Sequence, residues 1–124
     1  MAEPLNGRRS ASLLEENLKK ALTEFLFLYL LSEKECYIGE LLSEINRRSE
    51  GMIHIDFPYA SISRVYKAGC IVECGKRTSP DGRMRQYYRI TETGLAYFKD
   101  LQQVYDRMIL GVAKIFKNEG IHNE

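Results

Sequence analysis

The sequence predicts a mainly α chain with one small β-hairpin, an α+β fold that ends in a long helix. Three observations predict it. Apolar residues recur at three- and four-residue steps over separate stretches of the chain. After Gly69 the period drops to two on either side of Ser79-Pro80-Asp81-Gly82. From Phe98 to Ile115 apolar positions again alternate by three and four, a heptad seam.

Residues 1–11 are polar, with Pro4 and Gly7, and read as a flexible arm. The first helix starts near Ser12, with Glu15 and Glu16 in its first turn, where the helix dipole favours acids. Leu14, Leu18, Ala21, Leu22 and Phe25 carry its stripe. From Phe25 to Leu31 it is apolar on every side, which predicts burial all round and a face shared with a second subunit. A plain core helix of a monomer is the alternative.

Ser32 to Glu35 is a polar break. The second helix spans Tyr37 to Arg48, with Ile38, Leu41, Leu42 and Ile45 on one side, and Ser49-Glu50-Gly51 ends it. A short extended link leads to a third helix over Phe57 to Lys67. Asp56 is its candidate N-cap, Pro58 is tolerated in the first turn, and Gly69 closes it. Tyr59, Ile62, Val65 and Tyr66 form the expected inner stripe. Ala60, Ser61, Ser63, Arg64 and Lys67 are left outside.

Two strands follow, residues 70–76 and 84–91. The turn between them has a mechanism: proline presets φ, aspartate bonds its own backbone, and glycine accepts positive φ. The last helix opens at Thr91 as N-cap and runs to Lys117. Phe98, Leu101, Tyr105, Met108, Val112 and Ile115 make its seam, widened by Ile109 and Phe116. Such a stripe is too long to bury on a small domain, so it predicts dimerisation; a helix folded back over its own domain is the alternative. The expected division is one helix-and-hairpin domain over 12–91, a dimerisation helix over 92–117 and a frayed tail over 118–124.

The net charge of +1 hides an uneven distribution. Residues 1–63 carry net −3, residues 64–89 net +5 and residues 90–124 net −1. A local basic stretch is what an anionic partner meets. Three cysteines, Cys36, Cys70 and Cys74, make no disulfide framework and have no metal-ligand spacing. They read as small buried hydrophobes. The N-terminus lacks the apolar stretch of a signal peptide, and no apolar run approaches the roughly 20 residues of a membrane span. The expected setting is cytoplasmic. No nucleophile elbow, phosphate loop or metal triad is present, so neither an enzyme nor a cofactor is expected.

Helix, helix, link, basic helix and basic hairpin in that order describe a winged helix-turn-helix. The third helix fits a major groove, and the hairpin reaches the neighbouring backbone. Double-stranded DNA is therefore the expected partner. Ser61, Ser63, Arg64 and Lys67 on the helix and Lys76, Arg77, Arg83 and Arg85 around the turn are the expected contacts. Leu18, Leu22 and Phe25 of the first helix join Phe98, Leu101, Tyr105, Met108, Val112 and Ile115 in the expected homodimer interface. Tyr29, Tyr97, Phe98 and Tyr105 supply aromatic surface there. They either line a pocket for a small aromatic effector or fill the dimer core. A winged-helix module that binds protein without DNA is the rival reading.

Two segments carry a family resemblance. Gly82-Arg83-Met84-Arg85-Gln86-Tyr87-Tyr88-Arg89-Ile90-Thr91-Glu92-Thr93-Gly94 resembles the wing strand of PadR-family transcriptional regulators and its entry into the last helix. Tyr59 to Ile71 resembles the family's recognition-helix pattern, with Ile62, Val65 and Cys70 in leucine places. The resemblance spans about residues 20–116 and fits the branch with one long last helix. It implies a DNA-binding transcriptional regulator, a DNA-side or helix-anchoring role for Tyr59, and pairing through the first and last helices; a dimer places two recognition helices about one helical turn apart, so a homodimeric repressor on a pseudo-palindromic operator is the expected function. It also implies that a flat aromatic molecule can bind between subunits. Ile38-Gly39-Glu40-Leu41 stands where the family has Gly-Tyr-Glu-Ile, and Ile55-Asp56-Phe57-Pro58 where it has Pro-Gly-Thr-Leu.

Overall fold

The computed structural model describes residues 10–116. The expected frayed tail and most of the expected N-terminal arm lie outside them. Four helices surround a three-stranded antiparallel sheet: α1 (Ala11–Glu33), β1 (Cys36–Tyr37), α2 (Ile38–Arg48), α3 (Tyr59–Lys67), β2 (Ile71–Thr78), β3 (Met84–Ile90) and α4 (Glu92–Phe116). Ser10, expected in the arm, caps α1 by accepting the Ser12 N–H at 3.2 Å. The core is built from Phe27 and Leu28 of α1, Leu41 of α2, Val65 of α3 and Ile71 of β2, all fully buried. The apolar half of α1 is thus central, although Tyr29 stays 43% exposed.

Strand β1 has no counterpart in the sequence reading. Two residues are too few to show alternation, and only pairing with β3 makes them a strand, Cys36 opposite Tyr88 and Tyr37 opposite Tyr87. The sheet order is β1-β3-β2. Between Glu73 and Lys76 the β2–β3 register shifts, and Gly75 sits at that irregularity with φ 116°. The wing turn is closed by Ser79 N–H to Arg83 C=O and Gly82 N–H to Ser79 C=O, both 2.8 Å. Asp81 accepts from the Ser79 hydroxyl, Arg85 and the Arg83 N–H, which holds its carboxyl well below the usual range.

The recognition helix starts later than expected. Pro58 is its N-cap, not Asp56. Asp56 instead lies 3.5 Å from Lys19 and 3.2 Å from His54, so its carboxylate is engaged by neighbours outside α3. Phe57, expected in the first turn, falls before the helix and is 86% exposed. The C-terminus behaves as expected. Gly69 adopts φ 79°, and Gly69 and Cys70 N–H groups return to Tyr66 and Val65 carbonyls in a Schellman closure.

Thr91 caps α4: its Oγ1 accepts the Gly94 N–H at 3.1 Å and donates back to the loop after α3. Gly94 meets that loop face to face, and a Cβ there would lie 2.1 Å from the Cys70 carbonyl oxygen. Phe98 and Leu101 pack on the core. Beyond them α4 stays largely exposed, so it does not fold back over its own domain.

Candidate nucleic-acid interface

On α3 the buried stripe is Ser61, Ile62 and Val65. This corrects the sequence reading at three places. Ser61, expected on the DNA face, is buried. It lines a cleft of about 260 Å³ between α3 and α1, shared with Thr23 of α1, and small side chains there let the two helices approach. Tyr59 and Tyr66, expected inside, lie outside because Ser61 takes the core-facing place. The solvent face therefore carries Tyr59, Ala60, Tyr66 and Lys67, with Ser63 half-buried within it and Arg64 at its α1 edge.

The cations differ in their availability. Arg64 donates from Nε to Glu24 at 2.7 Å and from Nη2 to Ser61 Oγ at 3.1 Å. In the wing, Arg77 and Arg85 stand directly opposite on β2 and β3. Like charges so placed repel. Each has its own relief: Arg77 pairs with Glu35 and lies over the Tyr87 ring at 4.2 Å. Arg85 bonds Asp81 at 2.7 Å and lies 5.5 Å over the Tyr37 ring. The Arg77 guanidinium lowers the Glu35 carboxyl below its usual range. Among the described residues, Lys67, Lys76 and Arg83 make no ion pair. The side chains that tune the wing from outside it, Glu35 and Tyr37, were not singled out from sequence. In the sequence they are only the end of a polar break and the first residue of the expected second helix, and pairing of β1 with β3 is what brings them over.

The expected dimer and effector residues separate into two groups. Phe98 is spent in the chain's own core, its ring stacked on Phe25 at 5.5 Å and near Tyr29 at 5.8 Å. Leu101, Leu22 and Phe25 are half-buried, and Tyr105 lies 5.3 Å from Phe25. Leu18, Met108, Val112 and Ile115 are exposed, Ile115 by 77%. Tyr97 does not join the aromatic group: its hydroxyl lies 3.4 Å from Glu24. The thiols carry no activation. Cys36 is buried and its pKa is pushed up to about 12 by burial, and burial also raises Cys70 and Cys74. No helix of the described residues is long and apolar enough to cross a membrane.

A family model described as the transcriptional regulator PadR-like family matches residues 27–100. A PadR-like transcriptional regulator from Bacillus cereus is similar in structure, with 26% identity and a TM-score of 0.69, over 83% of this chain and 99% of that one. A Streptococcus transcriptional regulator is similar at 27% identity and TM-score 0.68, over 82% of this chain and 97% of its own. An uncharacterized protein of Lysinibacillus sphaericus is 35% identical over 78 residues, 61% of this chain and 71% of the relative.

Proposed function

The chain belongs to the PadR-like family of transcriptional regulators, and from that premise we propose that it is a homodimeric repressor that holds a pseudo-palindromic operator. The observation that carries this reading is that Lys67 on α3 and Lys76 and Arg83 beside the wing turn, all within the basic segment, have no ion-pair partner among the described residues. Lys76 and Arg83 neutralise backbone phosphates, and Lys67 does so from the end of the recognition helix. Tyr59 and Ser63, on the same solvent face as Lys67, reach base edges in the major groove. Arg77 and Arg85 stiffen the wing through Glu35, Asp81 and the two tyrosine rings. Residues 12–91 act as the DNA-binding domain and α4 as the dimerisation helix. Two copies place their α3 helices about one helical turn of DNA apart, which makes the operator a pseudo-palindrome. A role on DNA places the protein in the compartment that holds the chromosome.

The test is selection of bound fragments from genomic DNA, followed by titration of one fragment against salt. The expected result is an enriched inverted repeat. Its affinity should fall with salt along a log–log slope of roughly −0.9 per phosphate contacted. Recovery of no sequence above background would instead favour the module that binds protein without DNA; Phe57 and Met84 are exposed apolar side chains that such a module would use. The effector reading rests on Tyr29, half of whose surface is open beside Phe98. A flat aromatic compound seated there should weaken operator binding in the same titration.

A further inference from the structure

Three helices meet at one carboxylate. Glu24, near the middle of α1, accepts Arg64 Nε from α3 at 2.7 Å through one oxygen. Its other oxygen lies 3.4 Å from the hydroxyl of Tyr97 on α4. Arg64 is held a second time, by the buried Ser61 hydroxyl. Burial raises the Tyr97 pKa, and the Glu24 charge and hydrogen bond add to that.

The arrangement has two consequences. Charge-assisted hydrogen bonds are strong, so redirecting Arg64 to a phosphate means giving up its Glu24 contact. Lys67, one turn further along α3, needs no such exchange. Next, α3 is only nine residues long and buries only Ser61, Ile62 and Val65. A helix this short takes its tilt from a few contacts, and the Glu24–Arg64 pair is one of them. Tyr97 adjoins Phe98, where α4 enters the core, so the same carboxylate touches the helix expected to dimerise.

We propose that Glu24 is a positioning residue that ties the recognition helix to α4 by holding Arg64 and Tyr97 together, and that Arg64 serves this joint and makes no DNA contact. The proposal rests on the DNA-binding reading above. It is tested with full-length protein on two duplexes: one selected by the wild type, and one of random sequence. Glu24→Gln and Arg64→Gln should each weaken the selected duplex about tenfold, and the double variant should be no weaker than either single, because both remove one joint. The random duplex should change less than about twofold, and the salt slope should stay at the wild-type value. Tyr97→Phe should weaken the selected duplex by about threefold, in line with a single longer hydrogen bond. Arg64→Lys keeps the charge and loses the fork, and should fall between wild type and Arg64→Gln. Thermal melts establish that each variant is folded; should Arg64→Gln unfold, the Arg64→Lys and Tyr97→Phe results decide.

A fall of about one in the salt slope for Arg64→Gln, with Glu24→Gln binding as well as or better than wild type, would overturn the proposal and make Arg64 a phosphate contact. Tyr97→Phe binding like wild type would overturn the link to α4. Failure of the wild type to select any duplex would refute the DNA-binding reading itself and is seen before any variant is made.

Discussion

Glu44 on α2 accepts from Arg47 Nη2 at 2.7 Å and Arg48 Nε at 2.9 Å, and Arg48 also reaches Glu33 on α1. The two arginines lower the Glu44 pKa to about 2. A carboxyl depressed on folding stabilises above its unfolded pKa and loses that contribution as pH falls towards its folded value. Glu44→Gln should therefore melt below wild type at pH 6, and the gap should close by about pH 2. The effect should be small, since the pair is exposed. Melts by circular dichroism across that range would show it, and a gap that persists at pH 2 would assign the effect to packing. Gly94 acts through space and not charge. Gly94→Ala drives a methyl into the Cys70 carbonyl and should cost about 3 kcal/mol in urea unfolding. Its need for glycine was legible only as part of a family-like Thr-Glu-Thr-Gly run, because the crowding comes from the loop after α3, over 20 residues earlier.

At the scale of elements, the hairpin was legible because Ser79-Pro80-Asp81-Gly82 has turn chemistry at each place. The last helix was legible from its heptad seam and Thr91. The recognition helix was less so. Its periodicity predicted a helix but not which side faces inward, since a serine replaced a tyrosine in the buried stripe. The wing makes the same point for charge. Four cations flank its turn, yet two are matched by Glu35 and Asp81, and Glu35 arrives only through β1. Lys76→Ala and Arg83→Ala should each lower the salt slope by about one and weaken selected and random duplexes alike. A loss confined to the selected duplex would show that the wing reads bases.

For the whole molecule, the exposed second half of α4 and the first turns of α1 are where a second copy would cover apolar surface. Met108 and Ile115 make no part of the chain's own core. Met108→Asp with Ile115→Asp should therefore give a folded monomer, with native circular dichroism and half the dimer mass in light scattering. A dimer of unchanged mass would remove α4 from the interface. Tyr105 is a poorer site for this test, because its ring rests on Phe25 in the same chain and a charge there would disturb the monomer as well.

The sequence by itself determined the fold class and the order of the four helices and the hairpin, though not β1: local periodicity, caps and turn residues act within a few positions of where they stand. It also located the basic segment, since charge is a property of composition. The tertiary structure decided which of those charges are paired. Arg64, Arg77 and Arg85 are matched by Glu24, Glu35 and Asp81, and two of those partners lie about 40 residues away along the chain. Ion pairing depends on distance in space, which folding sets and spacing in sequence does not. The basic region of net +5 thus resolves into a few free cations on α3 and the wing, and a carboxylate on α1 that joins three helices.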